Sequence, residues 1–180
     1  MVFAMSASLS SVVQENKMTR VYLGIGSNIE REKNIRGCIC ALRERFDNLD
    51  ISPVYECSPV GFDGENFFNL VVGLDTDQSL EQLTASLKEI EFAFGRTRSQ
   101  DKFLPRTLDI DLLLFGDNVR HDENFDLPRA DILDYAFVLQ PLAEIAGGLI
   151  HPDLQISIRK LWDNFDKPGQ SLTPVNLDLS

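Results

Sequence analysis

Residues 103–116 read FLPRTLDIDLLLFG, and the reading of this stretch decides the architecture. From Leu108 to Phe115 it has the composition of a β-strand, and Gly116 opens the turn that ends it. Side chains alternate along a strand, so Leu108, Ile110, Leu112 and Leu114 share one face and supply a core. Asp109 and Asp111 share the other face with Leu113 and Phe115. A carboxylate beside such an apolar run is costly to desolvate unless something compensates it. Here there are two, about 6.5 Å apart along the strand.

Upstream, residues 96–106 (RTRSQDKFLPR) form a basic loop holding Arg96, Arg98, Lys102 and Arg106 against one acid, Asp101. Before it, Ser79 and Gln82 make a capping box, and Leu80, Leu83, Leu87, Ile90 and Phe94 form the stripe of a helix that Gly95 ends. Glu91 lies at the border of that stripe while Glu89 points to solvent, so Glu91 is placed either to accept from a ligand hydroxyl or to pair with Arg96. Residues 67–75 (FFNLVVGLD) read as a strand with Phe67, Asn69 and Val71 on one face. A Pro- and Gly-rich loop and a strand at Ile51–Tyr55 precede it. A helix with Ile35, Cys38, Ile39, Leu42 and Phe46 on its stripe comes before that. The first strand carries Val21, Leu23 and Ile25 and breaks at Gly26–Asn28.

Downstream, a weaker strand is expected near Asn124–Leu127, a loop or short helix from Pro128, and helices at Val138–Ala146 and Ser157–Phe165. The order strand–helix–strand–strand–helix–strand predicts an α+β protein with a ferredoxin-like βαββαβ core, a C-terminal helical and hairpin addition and three α/β/α layers. Residues 19–180 read as one domain, and residues 1–18 as a disordered extension, with Met18 an alternative start.

The 180 residues include 43% hydrophobic and 25% charged, an ordinary globular profile with a formal charge of −11. That charge argues against nucleic acid as a partner. No apolar run approaches a membrane span. Cys38, Cys40 and Cys57 have neither zinc-site nor disulfide spacing, which points to reduced thiols in a cytoplasmic protein.

Within so acidic a chain the basic loop stands out. Paired carboxylates with oxygen-only donors suit Mg²⁺, which binds one or two carboxylates together with phosphate oxygens. Arginines feeding into that pair are what phosphoryl transfer requires. The alternative is a solvated strand face with each aspartate paired to an arginine. The glycine-rich phosphate cradles of the common nucleotide folds are absent. Phe67 with Asn69 can stack a flat heterocycle and hydrogen-bond its edge, or can serve packing alone.

Taken together, YLGIGSN (22–28), FFNLVV (67–72) and PRTLDIDLLLFG (105–116) resemble the 6-hydroxymethyl-7,8-dihydropterin pyrophosphokinases of folate biosynthesis, over about Arg20 to Phe165. The resemblance implies that Mg²⁺-ATP donates pyrophosphate to the pterin hydroxymethyl oxygen and leaves as AMP. It implies two Mg²⁺ ions on Asp109 and Asp111, and catalytic arginines at Arg96 and Arg106. It places ATP contacts at Glu91, Arg98, Leu112 and Arg129. It places the pterin against Asn69, between Phe67 and Phe137, with Cys57, Ser58 and Val60 along its edge and Gly26 beneath it. The implied partners are small molecules, with a monomer or weak dimer as the assembly.

The chain departs from the family pattern at several positions. Leu104 and Phe103 replace a small residue and a tryptophan, and Cys57–Pro59 replaces Thr-Pro-Pro. The family's Pro-His pair is Pro128–Arg129, its following aromatic is Ala130, and a later arginine is Tyr135. These changes gather on the nucleotide side and leave the aspartate pair intact. They support one alternative, a catalytically weakened relative that binds pterin or nucleotide.

Overall fold

The computed structural model describes residues 18–61, 63–95 and 107–179. The expected N-terminal extension and the loop 96–106 therefore lie outside the described residues, save for Met18.

In chain order, β1 (Thr19–Ser27) leads into α1 (Arg31–Arg43), then β2 (Asp50–Ile51), β3 (Val54–Cys57) and β4 (Phe67–Thr76). Helix α2 (Leu80–Ala93) connects to β5 (Asp109–Phe115), followed by the short strands β6 (Arg120–His121) and β7 (Asp126–Leu127). Three helices follow, α3 (Asp131–Asp134), α4 (Ala136–Ala146) and α5 (Ile158–Asp163), and β8 (Thr173–Val175) ends the order.

The main sheet runs β5-β1-β4-β3-β8, with β2 also paired to β4. Each of these pairings is antiparallel. Strand β1 is interior, and its Val21 and Leu23 are completely buried. On one face Leu23, Leu70, Leu74 and Ile110 pack with Ile35, Ile39, Leu42, Leu83 and Ile90 of α1 and α2. On the other, Tyr22, Val71 and Leu113 pack with Ile132, Leu139, Leu142 and Ile158 of α3–α5. The result is the expected three-layered α+β arrangement. Burial of each Leu or Ile is worth about 1.5–3 kcal/mol, which is what holds the three layers together.

Local signals act as the sequence dictates. The Ser79 hydroxyl accepts from Gln82 N–H, and the Gln82 side chain accepts from Ser79 N–H, closing the capping box of α2. Gly95, at φ +83°, follows its last turn in a conformation that costs glycine least.

Two expectations are corrected. The strand expected over Ile51–Tyr55 is split at Ser52–Pro53. Pro53 has no N–H to donate, and Ser52 bonds Val71 through both its backbone and its hydroxyl. The alternation of β5 holds only to Leu113. Tyr22 pairs with Leu114 and Leu23 with Leu112, so Leu113 is an extra residue in a bulge. Leu113 and Leu114 thus both enter the core beneath α3–α5, and Phe115 turns to the α1–α2 side. Finally, β8 gave no sequence signal, because it is three residues long and includes Pro174.

Candidate active site

The site forms where β1, β4 and β5 meet the loop after β3 and the start of α4. Register places Gly26 between Asn69 of β4 and Asp109 of β5, and Gly24 between Val71 and Asp111. The aspartates and Asn69 therefore sit on the face covered by α3–α5. They open into a cavity of about 330 Å³ that Gly26, Cys57, Ser58, Val60, Phe67 and Phe137 also line.

The residues around Asn69 are held by specific contacts. Asn69 is 6% exposed and donates from Nδ2 to the Cys57 Sγ at 3.1 Å. Burial pushes the Cys57 thiol up to about 11, so it stays protonated and its sulfur accepts this bond. Gly26 is required by close approach: a Cβ there would stand 3.1 Å from Asn69 Oδ1. Across the cavity, Tyr135 and Phe137 stack with centroids 4.9 Å apart. Helix α4 is fastened to β3 by Tyr55, whose hydroxyl donates to Glu144 at 2.5 Å and accepts from Gln140 Nε2 at 3.0 Å. The loop after β3 is tied down by Arg31, which bonds Glu56 at 2.7 Å and the Asn66 carbonyl at 2.8 Å while lying over the Phe68 ring.

On the charged side, Asp109 is 8% exposed and Asp111 is half-buried. The approach to β5 is pinned by the Ser27 hydroxyl, which donates to the Thr107 carbonyl at 2.6 Å. The Arg129 backbone N–H donates to the carbonyl of Leu113, the bulge residue, at 3.0 Å. This tie sets the guanidinium beside the aspartates: Nη2 lies 3.0 Å from Asp111 Oδ1 and Nε 2.5 Å from Asp131 Oδ2. Burial by itself would pull the Arg129 pKa down, but Asp111, Asp131 and Asp126 outweigh it and hold the pKa above the usual arginine value.

The cavity thus joins an amide flanked by aromatic rings to a carboxylate pair with an arginine. A family model described as 7,8-dihydro-6-hydroxymethylpterin-pyrophosphokinase matches residues 22–147, a span that includes this cavity. The chain belongs to this family.

Relatives extend the match over this pyrophosphokinase family. The chain is 33% identical over 159 residues to the 2-amino-4-hydroxy-6-hydroxymethyldihydropteridine pyrophosphokinase of Aquifex aeolicus, covering 87% of this chain and 96% of that protein. It is 38% identical over 143 residues to the Pseudomonas aeruginosa enzyme of the same name, covering 74% of this chain and 85% of that one. Against the folic acid synthesis protein fol1 of Pneumocystis carinii it is 35% identical over 155 residues, covering 82% of this chain but only 21% of that protein. The crystal structure of wild-type Plasmodium falciparum HPPK-DHPS superposes with a TM-score of 0.67 at 14% identity, over 84% of this chain and 45% of that one. That likeness is one of fold.

Ten residues singled out from sequence meet at this cavity: Gly26, Cys57, Ser58, Val60, Phe67, Asn69 and Phe137, both aspartates and Arg129. Glu91 and Leu112 do not line it. Glu91 is buried and accepts the Ile110 backbone N–H at 2.8 Å, while Leu112 packs against the α1–α2 core. Arg96, Arg98 and Arg106 lie outside the described residues. Asp131 and Gly24 line the cavity without having been singled out. Asp131 was detectable only as an acid two residues past Arg129, a separation that does not by itself signal pairing.

Proposed function

We propose that the chain transfers the terminal pyrophosphate of ATP to the hydroxymethyl oxygen of 6-hydroxymethyl-7,8-dihydropterin, releasing AMP. One observation supports this reading: Phe67, Asn69 and Phe137 line the same cavity as the Asp109–Asp111 pair.

In this reading the pterin ring stacks between Phe67 and Phe137, and the Asn69 amide, with its donors and acceptor, reads the ring edge. The Cys57 thiol fixes the orientation of that amide. The donor set of Asp109 and Asp111 fits Mg²⁺. Both are hard oxygen ligands, and among the described residues no cluster of three or more ligating side chains competes for the ion. Asp109 and Asp111 would hold two such ions, with phosphate oxygens as further ligands. When bound, Mg²⁺ neutralises charge developing on the transferred group. The remaining work belongs to the chain: the slot holds the pterin hydroxymethyl oxygen toward the aspartates, and Arg129 supplies a guanidinium for a phosphate oxygen.

Glu91 and Leu112 are assigned to the nucleotide from their place in the family pattern. Strand β5 is the edge of the sheet, and Glu91 already occupies the outward amide of Ile110. The next outward-facing amide along that edge is two residues on, at Leu112, where an adenine ring can be read by backbone alone. The arginines Arg96, Arg98 and Arg106 are assigned to the phosphates from their place in the family pattern. No nucleic acid or membrane partner is invoked, and no helix of the described residues is long and apolar enough to cross a membrane.

The test is nucleotide product analysis. Incubation with Mg²⁺-ATP and 6-hydroxymethyl-7,8-dihydropterin is expected to yield AMP and the pterin diphosphate in equal amounts. ADP as product rejects pyrophosphoryl transfer. Pterin binding without AMP at saturating ATP makes the chain a binding module.

A further inference from the structure

We propose that Arg129 is a built-in counter-cation of the metal carboxylates, which couples divalent-cation binding to nucleotide binding. The inference rests on the assignment of Asp109 and Asp111 as the metal ligands.

The Arg129 guanidinium is engaged at Nη2 by Asp111 and at Nε by Asp131. Asp111 Oδ1, an oxygen that a cation would take, is thus held by a guanidinium nitrogen at 3.0 Å. The pair is not sealed in: the Arg129 and Asp111 side chains are 38% and 34% exposed. The Arg129 backbone is fixed by the Leu113 carbonyl, so rotation of the side chain is enough to release Asp111.

The consequence is thermodynamic. A cation arriving alone must displace the guanidinium from Asp111, exchanging one ion pair for another and leaving an arginine arm without its acceptor. A cation arriving with a triphosphate gains the carboxylates, and the freed guanidinium arm finds a phosphate oxygen a short swing away. Arg129 therefore opposes the cation in the absence of nucleotide and favours the nucleotide once the cation is in place. By linkage, each of the two ligands raises affinity for the other.

The test uses the full chain, with Mn²⁺ as a spectroscopic substitute for Mg²⁺ and a non-hydrolysable ATP analogue. Free Mn²⁺ is counted by electron paramagnetic resonance without nucleotide. Calorimetry then gives the analogue's affinity at saturating Mn²⁺. Arg129→Gln is expected to bind Mn²⁺ alone up to about fivefold more tightly and the analogue up to about fivefold more weakly, each within the worth of one partly exposed ion pair. Arg129→Lys retains a point charge without the fork, and is expected to fall between wild type and Arg129→Gln in both measurements. It carries the test if Arg129→Gln does not fold. A variant damaged only in structure loses both affinities together, so the opposite signs distinguish coupling from damage. Equal Mn²⁺ affinity in wild type and the Arg129 variants, with Asp111→Asn weakening all of them, overturns the inference and leaves the metal assignment standing. Mn²⁺ binding indifferent to Asp111→Asn overturns the metal assignment, and the inference falls with it.

Discussion

Glu91 Oε1 accepts the backbone N–H of Ile110 at 2.8 Å, and Ile110 stands between the two aspartates Asp109 and Asp111. Strand β5 pairs only with β1 in the main sheet, so its outer edge needs partners from elsewhere. Helix α2 supplies one, a carboxylate only 4% exposed. Burial, with a smaller contribution from this carboxylate, pushes the neighbouring Cys38 thiol up to about 12. Glu91 thereby acts as a positioning residue, fixing the backbone from which both aspartates project.

Glu91→Ala leaves a buried amide without this acceptor and is expected to cost about 1–3 kcal/mol of stability. Glu91→Gln retains an oxygen acceptor and is expected to recover most of that loss. Urea unfolding of the three proteins reads the stability, and Mn²⁺ titration reads the aspartate geometry. Unchanged unfolding midpoints would show that this bond does not secure the edge.

The aspartates themselves separate activity from stability. Asp111 is half-exposed, and an ion pair so placed contributes about 0–1 kcal/mol, so Asp111→Asn is expected to unfold within about 1 kcal/mol of wild type. Its rate of AMP release is expected to fall at least about 100-fold, the scale seen when one electrostatic stabiliser of a transition state is removed. Near-wild-type turnover in a folded Asp111→Asn would remove the carboxylate pair from the mechanism.

Much of this was legible in the sequence wherever the signal was local. The capping box at Ser79–Gln82 involves four consecutive residues, and both of its hydrogen bonds form. The alternation of Asp109, Ile110 and Asp111 assigned their faces correctly, because period-2 geometry needs no partner. What escaped the sequence was set by pairing across the fold. The bulge at Leu113 exists only in the register of β5 against β1, and it reverses the faces of Leu114 and Phe115. The Glu91–Ile110 bond spans 19 residues, and no helical period distinguishes an amide acceptor from a ligand contact. Arg129 was identifiable as a departure from the family pattern, but its grip on Asp111 depends on the bulge carbonyl that anchors its backbone.

The part of the cavity proposed to hold the pterin yields a separate prediction through Gly26. A methyl group there would lie 3.1 Å from Asn69 Oδ1, so the amide must shift by a few tenths of an ångström to admit it. Gly26→Ala is expected to raise the pterin KM about tenfold, near 1.4 kcal/mol, with the ATP KM unchanged. Asn69→Ala is expected to act in the same direction by deleting the edge-reading group. Steady-state kinetics with each substrate varied in turn makes the comparison. An equal rise in both KM values would mean that the disturbance spreads through β1 rather than staying in the slot.

His151, remote from the cavity lining, sets a pH dependence of stability. The ring is 3% exposed, its Nδ1 accepts the Leu154 N–H at 3.3 Å, and its Nε2 has no hydrogen-bond partner among the described residues. Burial lowers its pKa below the usual histidine value, with Asp153 opposing. As pH falls, the unfolded chain therefore takes up this proton first, near pH 6.5, while the folded chain still excludes it. Stability from the neutral ring is complete above that pH and is lost progressively toward the lower folded pKa. His151→Asn keeps a polar acceptor but cannot titrate in this range. The stability of wild type relative to His151→Asn is expected to be constant from pH 8 to 7 and to decline from pH 7 to 5. Other carboxylates titrate in both proteins and cancel in this difference, which urea unfolding measures at each pH. A difference that stays flat down to pH 5 would mean that the folded protein accommodates the imidazolium.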